Sequence, residues 1–228
     1  MKSKINFQKK SRIITQFILS IVILVLGVNL MIRSNLGPAP WDTFTYHLHV
    51  FLSVTLGMSA LIIQTVLITI IIIIRKSMKY LYIFSSIITI AIAFDFWDLI
   101  VFRDYYPESI YLRVTFYLVG IFLLSFGLAL LVLTRFKATV IDELMLIMME
   151  KLNTKNVFFP RMTIESIGLT LGLLTGFVAG LGWGLINQGT VFVTLVLPFF
   201  LSIQMRWMTP VFDVNKPNNL GDDLADLI

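Results

Sequence analysis

Three acidic residues stand in or beside long apolar stretches of this chain, where their side chains could bind a proton or a solute. Asp42 and Asp142 each open a short amphipathic run after an apolar segment, and Asp95 lies near the end of another apolar segment. A carboxylate is costly in such surroundings and usually faces the protein interior or a pathway. The positions predict solute contact at Asp42 and Asp142, and proton or ion coupling at Asp95.

A Gly/Pro break precedes the first of these acids. Gly37, Pro38 and Pro40 interrupt the apolar pattern, and Trp41 separates the break from Asp42. Irregular backbone at membrane depth is tolerated only where protein buries it or a watery cavity faces it. The break and Trp41 are therefore candidate substrate-binding residues.

The pair Gly189 and Thr190 is a further candidate contact, because it opens the last apolar segment of the chain. A helix start presents free backbone N–H groups, which can bind an anion. Close packing between helices also explains glycines at such places, so both explanations stay open.

Structural explanations compete with the solute-binding roles of the acids. Pro40 favours the first turn of a helix, where an acid such as Asp42 complements the helix dipole. Asp142 follows Thr139 with the spacing of a capping box. A place at the membrane interface explains Asp95 equally well.

The sequence contains no pattern typical of an enzyme or of a metal protein. It has no cysteine, which excludes disulfides, thiolate metal sites and thiol catalysis. His47 and His49 are two residues apart and have no evident third ligand, and no nucleotide-binding loop, catalytic triad or zinc spacing is present. We therefore expect no enzymatic activity, no cofactor and no bound metal.

The composition is that of an integral membrane protein. Hydrophobic residues make up 57% of the 228 residues and charged residues only 14%, whereas soluble domains average about 25% charged residues. The net charge of +5 could suggest nucleic acid, but the basic residues cluster between apolar segments. The expected partner of this surface is the lipid bilayer, not nucleic acid.

Six segments are close to the roughly 20 residues that an α-helix needs to cross a bilayer. We place them at residues 13–32, 55–74, 80–102, 112–133, 163–181 and 189–207. Fifteen of the 18 Lys and Arg residues fall on one side of these segments, which predicts that both termini are cytoplasmic. Residues 1–12 are then a basic tail and residues 208–228 a polar tail.

An internal repeat with an offset of 100 residues divides the chain into residues 13–107 and 108–207. In both copies a glycine in an apolar span precedes an acid by 15 residues (Gly27 and Asp42, Gly127 and Asp142). A short interfacial or re-entrant helix is predicted after the first span of each copy, over residues 40–53 and 140–152. Because three spans per copy is an odd number, the second copy must be inverted, an arrangement typical of secondary transporters. A duplication kept for stability alone is the competing explanation.

The stretch LGPAPWDTF resembles the YczE/YyaS/YitT family of bacterial integral membrane proteins. Gly57 before the second span and the pair Gly189 and Thr190 fit the same pattern, whereas Ser85 and Ser86 stand where a comparable Gly-Thr pair would fall in the third span. The resemblance covers residues 13–207. It implies a multi-pass protein of the bacterial inner membrane and does not imply a biochemical activity.

Together these observations predict an all-α protein of six transmembrane helices in two inverted three-helix repeats. Its predicted function is that of a small secondary transporter or permease for an unknown small solute. The alternative is a non-transporting membrane partner or assembly factor for another protein. Because six helices form a thin wall, a homodimer is also expected.

Overall fold

The computed structural model describes residues 2–103, 105–133, 139–154 and 158–208, and all regular elements in these ranges are helical. Eight α-helices follow one another along the chain: α1 Lys2–Ser34, α2 Pro40–Leu52, α3 Leu56–Arg75, α4 Phe84–Asp95, α5 Ile110–Leu133, α6 Val140–Lys151, α7 Phe158–Val178 and α8 Gln188–Met208. A 3₁₀-helix, Met78–Ile83, precedes α4, and a π-helix, Phe96–Phe102, continues it.

Five stretches in the described part are long and apolar enough to cross a membrane: Ile14–Ser34, Leu56–Arg75, Phe84–Phe102, Ile110–Leu133 and Gln188–Met208. The chain is therefore a multi-pass membrane protein whose helices contact lipid. The predicted fifth span, residues 163–181, corresponds largely to α7, which has 21 residues but is not among the five. Arg161 and Glu165 lie near the start of α7 and make it more polar than the other long helices.

The predicted element boundaries need two adjustments. The first helix begins at Lys2, so the basic residues of the predicted tail continue α1. The predicted third span, residues 80–102, is divided into the end of the 3₁₀-helix, α4 and the π-helix. The polar tail at residues 209–228 and the side chain of Asp142 lie outside the described part of the structure.

The core of the protein is a close crossing of α1 and α5. A Cβ atom at Gly27 would lie only 2.4 Å from the backbone nitrogen of Leu124, and one at Gly127 would lie 2.5 Å from that of Leu24. The pairing of residue 27 with 124 and of residue 24 with 127 means that the two helices run antiparallel. Contact between backbones at this distance requires glycine, which is the usual device for close helix packing in membranes.

The two short helices pack on long helices of the other half of the chain. The first, α2, lies parallel to α7, with Trp41 against Gly168 and Phe44 against Gly172. The second, α6, lies on α3, where buried Val140 and Ile147 share a cluster with Ile68 and Ile71. Arg75 at the end of α3 forms ion pairs with Glu143 (3.2 Å) and Glu150 of α6.

The α1 and α5 crossing yields a prediction for Gly27→Ala. Helix propensity alone favours Ala over Gly by about 1 kcal/mol, but the new methyl group would collide with backbone atoms that cannot rotate away, and such overpacking costs about 1–3 kcal/mol. We expect the unfolding temperature of the detergent-solubilised protein, followed by tryptophan fluorescence, to fall by several degrees. In the matched control Gly172→Ala, the nearest atom lies at 3.3 Å, and the shift should be clearly smaller. A rise in the unfolding temperature of Gly27→Ala would contradict the close crossing.

Candidate functional site

The Gly/Pro break after α1 is held against the first turn of α8. Gly37 has a φ of +115°, and a Cβ atom there would lie 2.5 Å from the backbone nitrogen of Thr190. The Gly189 N–H donates to the carbonyl of Leu36 at 3.2 Å, and the Tyr117 hydroxyl donates to the Gly189 carbonyl at 2.6 Å. The structure thus brings together Gly37, Gly189 and Thr190, which were separate candidates in the sequence.

Arg113 of α5 fixes the chain where it leaves α1. Its Nε atom donates to the Ser34 carbonyl at 2.7 Å, and its Nη2 atom donates to the Asn35 carbonyl at 2.9 Å. The last carbonyls of a helix have no partner within the helix. Arg113 therefore supplies partners that set the path of the chain into the break.

Beyond the break, Pro38, Pro40 and Trp41 are buried. Pro40 is the first residue of α2, where its missing N–H costs nothing because that position has no partner within a helix. The Trp41 ring lies against Gly168 near the middle of α7 and packs with Ile63 and Ile164. These contacts anchor the start of α2 on α7.

Asp42 lies near Glu165 of α7 and keeps some accessible surface. The helix α2 is not one of the five membrane-crossing helices, and burial together with the negative charge of Glu165 raises the pKa of Asp42 from 3.8 to about 7. Glu165 itself is ion-paired with Arg161 at 2.8 Å. The start of α2 therefore holds a carboxyl group that can take up or release a proton near neutral pH.

Asp95 caps the start of α3 and is separate from the break. Its two carboxylate oxygens accept from the Gly57 N–H at 2.7 Å and from the Thr55 hydroxyl at 2.9 Å. A Cβ atom at Gly57 would collide with this carboxylate, so the glycine permits the close approach. These bonds give Asp95 a structural role at the α3 and α4 contact.

His47 joins α2 to α7 and to the loop that follows α7. The ring is fully buried; its Nδ1 atom lies 2.6 Å from the Gly172 carbonyl, and its Nε2 atom accepts from the Leu185 N–H at 3.1 Å. Because a carbonyl only accepts and an N–H only donates, these partners fix the neutral tautomer with the proton on Nδ1. A Cβ atom at Gly184 would lie 2.1 Å from Nε2, so the loop approaches the ring closely.

A polar cavity of about 370 Å³ lies on the side of α2 that faces α1 and the π-helix. Six polar side chains from α1, α2, the π-helix and the segment after it line it: Arg33, Tyr46, His49, Asp98, Arg103 and Tyr106. Arg33 is only 4% exposed, forms an ion pair with Asp98, and lies over the Tyr106 ring at 4.4 Å. This cavity combines charged side chains with aromatic surface, and it is the strongest candidate for a solute site.

Comparison with known proteins places this arrangement in a family. The model of a family of unknown function, DUF6198, matches residues 11–206. The chain belongs to this family. The result confirms the predicted resemblance to the YczE/YyaS group of membrane proteins.

Two bacterial relatives show how far the similarity extends. The uncharacterized protein YyaS of Bacillus subtilis is 29% identical over 165 residues, which cover 72% of this chain and 81% of YyaS. An uncharacterized protein of Haemophilus influenzae is 27% identical over 199 residues, which cover 87% of each chain. No solved structure matches the chain.

The cavity is not evident from the sequence, because its charged pair spans 65 positions. Arg33 at the end of α1 and Asp98 in the π-helix belong to different predicted spans. One signal is present in the sequence: residue 33 directly follows the first predicted span and residue 98 lies near the end of the third, two ends that face the same side of the membrane, and opposite charges at one depth tend to pair.

The environment of His47 predicts a pH-dependent stability. Burial lowers the pKa of His47 below 6.5, although the bond to the Gly172 carbonyl opposes the change. Just below pH 6.5 the His47 side chain therefore binds a proton in the unfolded chain but not in the folded chain. The free energy of unfolding falls as the pH drops below about 6.5. We expect the unfolding temperature of the native protein to fall from pH 7 to pH 5 relative to that of His47→Gln.

His49→Gln is the matched control for this measurement. It should retain the pH dependence of the native protein, since the Leu185 N–H still meets the His47 ring. If the unfolding temperature changes with pH in the same way in the native protein and in His47→Gln, the prediction is wrong, because protonation of His47 then costs the folded state no stability.

Proposed function

We propose that this chain is a small secondary transporter of the bacterial inner membrane, with both termini in the cytoplasm. One observation carries the proposal: a buried Gly/Pro break lies against the first turn of α8, and the short helix that follows it packs on α7. Discontinuous helices at the interface of inverted repeats commonly form the substrate and ion sites of secondary transporters.

The packing of the long helices supports the inverted halves. The helices α1 and α5 open the two proposed halves and run antiparallel, which supports halves of opposite direction. Their contacts are exchanged by the 100-residue offset, since Gly27 meets Leu124 and Gly127 meets Leu24. This is the relation expected around a two-fold axis in the membrane plane.

The contacts of the short helices are exchanged between the proposed halves in the same way. In the first half α2 packs on α7, and in the second half α6 packs on α3. Each short helix ends at a residue with a left-handed backbone, Ser53 with a φ of 52° and Asn153 with a φ of 47°. In this proposal α7 also crosses the membrane, as the fifth of six spans, with its Gly168 and Gly172 covered by α2.

Within this proposal Asp42 is the proton-coupling carboxyl group. It lies at the start of α2, beside Glu165, and its pKa of about 7 allows protonation under ordinary cellular conditions. Asp95 contributes to structure by capping α3. The break and Trp41 form the fixed part against which α2 and α8 meet.

Inverted halves predict a definite labelling pattern for Ser53→Cys and Asn153→Cys. Both positions are exposed turns at the ends of short helices, and the native chain has no cysteine. A membrane-impermeant thiol reagent applied to intact cells should label position 53, and it should label position 153 only after permeabilisation. Labelling of both positions from the same side would contradict the inverted arrangement.

The transport function is tested in proteoliposomes by a screen of many solutes at once. Protein-containing and protein-free liposomes are incubated in a bacterial small-metabolite extract at external pH 6 and internal pH 7.5, and accumulated compounds are identified by mass spectrometry. We expect at least one solute to accumulate only with the native protein. We also expect Asp42→Asn to reduce this uptake to the protein-free level, because the substituted side chain cannot carry a proton.

Glu108→Gln provides the matched control, because it neutralises an exposed acid that precedes α5. Uptake by this variant should equal that of the native protein. If the native protein accumulates nothing beyond the protein-free liposomes, the chain is not a transporter of the metabolites present.

A further inference from the structure

The cavity beside α2 offers many more hydrogen-bond donors than negative charges. Two guanidinium groups and two tyrosine hydroxyls face a single carboxylate, that of Asp98. With the histidine neutral, Arg33, Arg103 and Asp98 give the cavity a net charge of +1. A positively charged cavity with low-dielectric walls attracts anions.

The donors of Arg33 are only partly used by the protein. Its Nη2 atom makes both contacts with Asp98, to a carboxylate oxygen and to the backbone carbonyl, the latter at 3.3 Å. Its Nε atom is buried and has no hydrogen-bond partner among the described residues. An unpaired buried donor lowers stability by about 1–3 kcal/mol. A residue that served only to bind Asp98 would not need to leave this donor unpaired.

The lining side chains of α2 are oriented toward the same space. Tyr46 is close enough to Tyr106, Arg33 and Asp98 to interact electrostatically with all three. The His49 Nδ1–H donates to the Val54 carbonyl, so the neutral ring presents Nε2 to the cavity as an acceptor and does not itself bind an anion. Through Tyr46 the solute would contact α2, the helix that also carries Asp42.

We propose that this cavity binds a small soluble anion through its carboxylate or phosphate group, with Arg33 and Arg103 as the recognising residues. The proposal rests on the proposed transport function, for which it names the class of solute. Guanidinium groups suit both kinds of oxyanion, because their planar donors match the geometry of the acceptor. The volume of about 370 Å³ lies at the small end of ligand cavities.

Asp98 is the competitor of the bound anion in this site. In the empty cavity its carboxylate neutralises Arg33 and holds the guanidinium in place. An incoming anion adds a second negative charge beside the first, so repulsion from Asp98 lowers the affinity of the cavity for the anion. Removing that negative charge must strengthen anion binding, which a purely structural ion pair does not require.

The test is a calorimetric titration of the purified full-length protein in uncharged maltoside micelles. The probes are propionate, its neutral isostere propionamide, the zwitterion β-alanine and inorganic phosphate. We expect propionate or phosphate to bind, and propionamide not to bind. Binding of β-alanine or propionamide with an affinity equal to that of propionate would overturn the anion assignment.

Variants identify the residues responsible. Arg103→Gln is exposed at the cavity mouth and should weaken anion binding by about tenfold, the loss typical of one charge-assisted hydrogen bond. Asp98→Asn should strengthen it by about threefold or more, through the removal of like-charge repulsion. Arg206→Gln loses the same charge on the exposed last turn of α8 and should bind like the native protein. Equal affinities for all three variants would place the anion elsewhere and overturn the proposal.

A lipid headgroup carries the same phosphate chemistry, so the titration is repeated in phosphatidylglycerol nanodiscs. Retained propionate binding supports a soluble solute, whereas its complete loss assigns the cavity to the headgroup and overturns the proposal. The binding assay and the transport assay fail independently. Anion binding without uptake would refute the transporter, and uptake of a neutral solute without anion binding would refute the anion site alone.

Discussion

The close crossing of α1 and α5 is the constraint on which the rest of the structure depends. Hydrophobic burial cannot hold helices together in lipid as it does in water, so association relies on backbones that approach closely. Gly27 and Gly127 provide that approach at two places along the crossing. Once these helices are fixed antiparallel, each short helix reaches a long helix of the opposite half.

The two short helices contact their partner helices in different ways. The contact of α2 is apolar, whereas that of α6 includes charged side chains. Between α2 and α7 the contact depends on small residues, with Gly168 and Gly172 covered by Trp41 and Phe44. Between α6 and α3 it includes the ion pairs of Arg75. The exposed partner Glu150 has a lowered pKa because Arg75 donates hydrogen bonds to it. The exposed pair with Glu150 contributes little to stability, so the contact depends on the apolar cluster around Ile68 and Ile71 and on the pair with buried Glu143.

The sequence was sufficient to predict features that depend on composition and on local spacing. Helix type, five of the six spans and the short helix after Pro40 follow from apolar length and from the breaking residues. Gly37, Gly189 and Thr190 were correctly singled out, but their contact was not predictable, because it joins residues more than 150 positions apart.

Asp95 and Asp98 show why helical spacing misleads at this site. Three residues apart on an α-helix, they would share a face. The π-helix that starts at Phe96 changes the number of residues per turn, and the two acids meet different partners. Asp95 binds the start of α3, whereas Asp98 binds Arg33 of α1. The composition of Phe96–Phe102 does not predict a π-helix, so the separation of the two carboxylates could be seen only in the structure.

The same helix connects the polar cavity to the buried acid. Tyr46 and His49 of α2 line the cavity, and Asp42, one turn before Tyr46, lies near Glu165. The 13-residue helix α2 is one rigid element, so any displacement of Tyr46 displaces Asp42 as well. A shift that follows a solute at Tyr46 necessarily changes the distance between the two carboxyl groups. In the proposed transporter, solute binding and proton binding are therefore linked through one element, and by thermodynamic reciprocity each alters the affinity for the other.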